Sequence, residues 1–245
     1  MSRRVHPALG AASAVASMTG LAALYRTGFG SRSQTFGPFP HRGETDEPVV
    51  ALTFDDGPNE PWTSRLLDLL GEREVPGTFF QVGRCAERHP DVTRRVVAEG
   101  HVLGNHSYRH SFTSYLRKPK QTDEIARAQD ALTSISGVAP ALYRPPWLCH
   151  WPWVLRSVRR SGAQVVSGTF GSLLEVAQPA PARIAAAAAG RAAPGTMLIL
   201  HDGREARGGN RASTVAAVGP LVDRLRARGY RFTTVDRLLG VPAYG

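Results

Sequence analysis

From Val49 onward, hydrophobic positions fall into two alternating kinds of segment. Short runs rich in β-branched and aromatic residues read as strands. They are VVALTF (Val49 to Phe54), GTFFQVG (Gly77 to Gly83), HVLGNH (His101 to His106), ALYRPP (Ala141 to Pro146), QVVSGT (Gln164 to Thr169), MLILHD (Met197 to Asp202) and YRFTTV (Tyr230 to Val235). Between them, segments such as PWTSRLLDLLGERE, PDVTRRVVAEG, QTDEIARAQDALTSIS and ASTVAAVGPLVDRLRARG repeat apolar residues every three or four positions and read as helices, the last closed by Gly229. The Ala-rich APARIAAAAAGRAAPG reads as a further helix ended by Gly195. Repeated βα units predict a parallel sheet, doubly wound or closed into a barrel.

Ahead of this pattern, Arg3 and Arg4 precede a weakly apolar run from Pro7 to Tyr25, in the order of a signal peptide or a short membrane anchor. Gly10, Ser13, Ser17, Thr19 and Gly20 dilute it, so a cleaved signal, a retained anchor and a disordered tail all stay open. Residues 1–30 are read as signal peptide or membrane anchor, 31–48 as a Pro- and Gly-rich linker, and 49–240 as one folded domain. The expected location is extracytoplasmic, secreted or attached to the cell envelope.

Composition adds little to this picture. The 245 residues, 42% hydrophobic, are enough for one large core. A formal charge of +10 suggests attraction to polyanions. The excess is nearly all Arg scattered along the chain, with Lys118 and Lys120 the only lysines, which argues against nucleic acid as a partner. Cys85 and Cys149 are the only cysteines. They form no disulfide framework or CxxC metal site, and one bridge or two free thiols remain equally open.

Polar residues mark the ends of the strands. Asp55 with Asp56, His106, Arg144, and His201 with Asp202 all stand at C-terminal strand ends, where parallel α/β folds build their sites. The adjacent carboxylates in LTFDDGP repel one another unless a cation lies between them. The i, i+4 histidines of HSYRH, His106 and His110, would share one side of a helical turn as metal ligands. With one carboxylate they give three protein ligands and open positions, the pattern of a catalytic metal site. The second carboxylate would serve as a base, held ionised by Arg144, and His201 would be the acid. Ile199 shares a face with His201 by alternation and would hold a small apolar group such as a methyl, while Trp147 would stack on a sugar ring. Asp202 would either orient His201 or cap the following turn. Trp151 and Trp153 read as packing residues, and His6, His41, His89 and His101 as structural.

The motifs TFDDGP, HSYRH, RPPW and LILHD, in this order, resemble those of the polysaccharide deacetylases of carbohydrate esterase family 4, from about Val49 to about Leu239. The resemblance implies a distorted (β/α)7 barrel. It also implies removal of acetyl groups from an N-acetylated polysaccharide or oligosaccharide, peptidoglycan or chitin-like, with a divalent metal: Zn2+ first, Co2+ or Ni2+ as alternatives. Acetyl-xylan O-deacetylation and a glycan-binding member with little turnover are the rival readings. By the same resemblance Asp55 is the base, Asp56, His106 and His110 the metal ligands, Arg144 the residue positioning the base, and His201 the acid. The backbone N–H of Trp147 is a donor to the oxyanion. Two departures stand out. The Asp-Trp pair usual after the fifth strand is missing from SGTFGSLLEVAQ, where Phe170, Leu173 or Leu174 would supply only an apolar wall, and Leu148 replaces the usual Gly.

Overall fold

The computed structural model describes residues 19, 20, 22–115 and 118–245, the side chains of 118–121 excepted. Apolar runs become strands β1 (Val49–Asp55), β2 (Gly77–Gln81), β3 (Val102–Asn105), β4 (Leu142–Tyr143), β5 (Gln164–Val165), β6 (Thr169–Phe170), β7 (Met197–His201) and β8 (Arg231–Thr233), all parallel in one sheet. Helices connect them: α1 (Trp62–Glu72), α2 (Gly83–Arg88), α3 (Pro90–Ala98), α4 (Phe112–Tyr115), α5 (Lys118–Ser136), α6 (Pro152–Arg160), α7 (Pro181–Arg191), α8 (Ala212–Arg226) and α9 (Val235–Leu239). In α1 the buried residues Thr63, Leu66, Leu67 and Leu70 recur at the helical period and face the sheet. The Ala-rich helix α7 ends at Arg191, short of Gly195, whose positive φ belongs to the turn into β7.

The strand order is β5-β4-β3-β2-β1-β7-β6, with β8 pairing the first half of β1. The sequence run from Gln164 to Thr169 is therefore two strands at opposite ends of the path. Laid flat, six spacings of about 4.8 Å would separate β5 from β6 by about 29 Å. Residues 166–168 connect them, and four Cα steps reach at most about 14 Å. The sheet must therefore curl until its edges nearly meet, which gives the distorted seven-strand barrel.

Alternation divides each strand between two environments. Val50, Leu52, Phe54, Phe79, Leu198 and Leu200 pack outward under the helices. Ala51, Phe80, Val102, Leu142 and Met197 pack in a second cluster on the other, inner face. On that face of β1, Ala51 and Thr53 lead up to Asp55 at the strand's C-terminal end.

Residues 31–48, expected to be a linker, pack on the barrel. Phe39 is fully buried, Arg42 bridges to Thr196, and Ser167 in the β5–β6 seam donates its N–H to Pro40 O at 2.6 Å. Their Pro and Gly content excludes regular structure but not burial. Residues 22–29 are helical, and Phe29 stacks on Phe112 and edges against Trp151. The first 18 residues, which carry most of the signal or anchor reading, lie outside the described residues. Among the described residues no helix is long and apolar enough to cross a membrane. Cys85 and Cys149 are both buried and free, and burial pushes their thiols up to about 11 and about 12.

Candidate active site

The C-terminal strand ends open into a cavity of about 340 Å³ lined by Asp55, Asp56, His106, His110, Trp147 and His201 among others. Register explains part of this convergence, since Asp55 of β1 pairs directly with His201 of β7. Asp56 needs a further device, because alternation alone would turn it away from Asp55. Its backbone takes φ +76°, a left-handed conformation rare outside glycine, which swings the side chain to the same mouth. The following loop is tight: a Cβ on Gly57 would meet Asp202 Oδ2 at 2.1 Å.

Asp56 Oδ2 accepts the Glu205 N–H at 2.8 Å, leaving Oδ1 3.3 Å from His106 Nε2 and 3.0 Å from His110 Nε2. The histidines lie on a loop after β3 rather than on the expected helical turn, because Ser107 and His110 both take positive φ. Side-chain caps hold that loop: Ser107 N–H donates to Asn105 Oδ1 at 2.9 Å and His110 N–H to Ser107 Oγ at 3.1 Å. His106 Nδ1 lies 2.7 Å from the Arg144 carbonyl, which can only accept, so Nδ1 carries the proton in the neutral ring and Nε2 presents a lone pair. Two acceptors, Nε2 and Oδ1, then face each other, and His110 Nδ1 is buried without a partner among the described residues. Such a buried donor set fits a divalent cation held by Asp56, His106 and His110, whose ligand atoms all lie within 4.8 Å of one another.

Arg144, fully buried inside the barrel, donates from Nη1 to Asp55 Oδ1 and Thr53 Oγ1, both at 2.7 Å. From Nη2 it donates to Ser167 O in the seam at 2.8 Å, and its guanidinium lies 4.1 Å from the Phe80 ring centroid. Burial pulls the Arg144 pKa down, opposed by Asp55. A buried pair of this kind is costly to break from one side. Arg144→Met is expected to cost about 3–5 kcal/mol of stability, because it strands the Asp55 charge. Urea unfolding checks this, and an unchanged midpoint would mean that Asp55 finds its counter-charge elsewhere.

His201 has a partner that the sequence reading missed. Glu175, in a single 3-10 turn (Glu175–Ala177), accepts from His201 Nδ1 at 2.8 Å and from the His201 N–H at 2.9 Å. A third hydrogen bond comes from Thr214 Oγ1 at 2.8 Å. Burial would lower the His201 pKa, but the Glu175 carboxylate outweighs it and lifts the ring to about 9. The stretch read as lacking the usual Asp-Trp pair thus supplies a carboxylate from Glu175. No sequence signal pointed to it, because the local pattern is inverted: Glu175 is 1% exposed while its neighbours Leu173, Leu174 and Val176 are 68%, 59% and 51% exposed. Phe170 stacks on His201 with ring centroids 6.3 Å apart, giving the apolar wall.

Asp202 does not orient His201. It is buried and accepts from Thr63 Oγ1 at 2.6 Å, and burial pushes its carboxyl up to about 7. Ile199 is fully buried in a cluster with Tyr143 and Leu148 and is not part of the cavity wall. The apolar lining comes instead from Trp147, Leu148, Phe170, Leu173 and Val176. Leu148 itself has φ +55°, the conformation that glycine adopts most readily. Trp147 stands edge-on to His110, ring centroids 4.3 Å apart. His150 and His101 are buried structural residues, bonded to Leu148 O and to the Gly77 N–H respectively.

Comparison with known proteins gives a consistent picture. The family model described as polysaccharide deacetylase matches residues 42–166. A peptidoglycan-N-acetylglucosamine deacetylase of Bacillus cereus is 32% identical over 195 residues, covering 79% of this chain and 89% of its own. A chitooligosaccharide deacetylase of Bradyrhizobium sp. is 33% identical, covering 77% and 90%. The crystal structure of a peptidoglycan N-acetylglucosamine deacetylase in complex with 4-naphthalen-1-yl-N-oxidanyl-benzamide superposes with a TM-score of 0.77 at 26% identity, over 84% of this chain and 94% of that one. With a matching family model, relatives above 30% identity over more than three quarters of its length and the same fold, this chain belongs to the polysaccharide deacetylase family.

Proposed function

We propose that the protein hydrolyses the acetamide of N-acetylated sugar units in a glycan, peptidoglycan or a chitin-like oligomer, releasing acetate and leaving a free amine on the sugar. The observation that carries this reading is the meeting of three elements at one cavity: the buried cluster of Asp56, His106 and His110, the Asp55–Arg144 pair, and the His201–Glu175 pair.

Asp56, His106 and His110 would hold the divalent cation, Zn2+ in first place, which supplies Lewis acidity that makes hydroxide available near neutral pH. Asp55 takes the proton of the attacking water, and Arg144 keeps its carboxylate ionised and aimed. The Trp147 N–H donates to the oxygen on which negative charge develops; one such donor is typically worth about 2.7–4 kcal/mol of barrier. His201, with Nδ1–H held by Glu175, presents Nε2 to the cavity and protonates the leaving amine. Trp147, Leu148 and Phe170 exclude water and form the apolar surface against the acetyl methyl. The Glu175 carboxylate counts against a protein that only binds glycan, because it equips the acid that such a protein does not need. Arg3 and Arg4 ahead of an apolar run support action outside the cytoplasm.

Acetate release from N-acetylglucosamine oligomers, peptidoglycan and acetylated xylan tests the reading. Release from the N-acetylated substrates is expected to stop on chelation and return with zinc. Zinc binding without release would make this a binding protein, and release from xylan alone would make it an O-ester hydrolase.

A further inference from the structure

Arg211 immediately precedes α8 and is only 2% exposed, yet it lines both the catalytic cavity and the groove beside it. Its Nε donates to Gly203 O at 2.5 Å, while Nη1 is buried with no partner among the described residues. No carboxylate oxygen among the described residues comes within ion-pair distance of it. Those nearby are already engaged. Asp55 pairs with Arg144, Asp56 with the two histidines, Glu175 with His201, and Asp202 with Thr63. Glu205, also in the cavity wall, sits 3.6 Å from Arg207.

A guanidinium cannot shed its proton to escape burial as a lysine can, so a buried one is held against an anion. Arg144 shows the rule obeyed inside this same barrel. For Arg211 no such anion is found among the described residues, and the two cavities it lines are where one would arrive. Arg204, exposed, lines the same two cavities and adds a second positive charge. The helix N-terminus does not supply the site, since the Ala212, Ser213 and Thr214 N–H groups are taken by Asn210 and Gln178.

We propose that Arg211, assisted by Arg204, is a specificity-determining subsite for an oxyanion borne by the substrate sugar, a carboxylate or a phosphate close to the acetamide being cleaved. The inference rests on the deacetylase reading and narrows it: a glycan carrying such a group is preferred over a neutral one. With Nε given to Gly203 O, the Nη groups of Arg211 are what remain to donate to the oxygens of either group.

The test uses the full zinc-loaded chain and three matched oligomers. One is neutral N-acetylglucosamine, one carries the lactyl carboxylate of N-acetylmuramic acid, and one a phosphomonoester. Wild type is expected to favour an anionic oligomer at least tenfold in kcat/KM, mainly through KM. Arg211→Gln should reduce that preference tenfold or more, and Arg204→Gln by a smaller factor. Which anionic arm gains identifies the group. Equal handling of all three by wild type, or an equal loss on all three in Arg211→Gln, overturns the proposal. Should Arg211→Gln fail to fold, Arg204→Gln decides, and an unchanged anionic-to-neutral ratio overturns it. A second readout needs no turnover. N-acetylmuramic acid and a sugar phosphate are each tested for a rise in melting temperature that Arg211→Gln removes. Such a rise without acetate release from any oligomer would defeat the deacetylase reading but keep the subsite, and no release with no rise defeats both.

Discussion

Asp55→Asn is expected to lower acetate release by about 10²–10⁴-fold, the usual contribution of a positioned base, while zinc stays bound. Asp56→Ala is expected to lose zinc and activity together. The two neighbours differ because the backbone treats them differently. Asp55 is the last residue of β1 and meets Arg144 inside the barrel, whereas the left-handed Asp56 points Oδ1 at two imidazole nitrogens and gives Oδ2 to the Glu205 N–H. Elemental analysis beside kinetics separates the roles. Loss of zinc in Asp55→Asn, or its retention in Asp56→Ala, would reverse the assignment. Asp55→Asn also leaves the Arg144 cation without its counter-ion, so thermal melting must accompany the rates. A variant that is folded, zinc-loaded and inactive is the result that supports the base.

The second large effect is on pH dependence. With its pKa lifted from 6.5 to about 9, His201 stays protonated through neutral pH, and the alkaline limb of the rate profile is expected near pH 9. Glu175→Gln keeps a side chain of the same shape but removes the charge that offsets burial, so the ring should fall to about 6.5 or below. At pH 8 the protonated fraction would then drop about 30-fold or more, and acetate release with it, while rates at low pH, where the ring is protonated in both proteins, change little. A Glu175→Gln profile that falls equally at every pH would show Glu175 to be structural only. The sign for stability follows from the same shift. A raised histidine pKa means that the His201–Glu175 pair stabilises the fold fully below about pH 6.5 and loses that contribution as pH rises through about 9.

Asp55, Asp56 and His106 were legible in the sequence because each stands at or just after a strand end, a position that hydrophobic patterning locates well, and His110 because of its spacing from His106. Glu175 was not, because it lies in an irregular segment where no periodicity tells inside from outside. Three apolar neighbours around it face solvent, so a reader would bury Leu173, Leu174 and Val176 and expose the carboxylate. Ile199 erred in the opposite direction. Alternation placed it correctly on the His201 face, but only packing shows that it is fully buried in a cluster with Leu148, against which Trp147 and Phe170 pack, and that these three rather than Ile199 line the cavity.

The order of strands and helices, the inward face of β1 and the placing of acids, histidines and Arg144 at one edge of the sheet follow from the sequence alone, since they depend on local periodicity and the chirality of βα connections. Tertiary structure decided what depends on residues far apart in the chain. The edges of the sheet meet because three residues must span from β5 to β6, Glu175 reaches His201 across the mouth, and Asp202 turns away to Thr63. Arg211 is left buried without a carboxylate partner among the described residues. Such pairings arise from the closure of the barrel, and no window along the chain contains them.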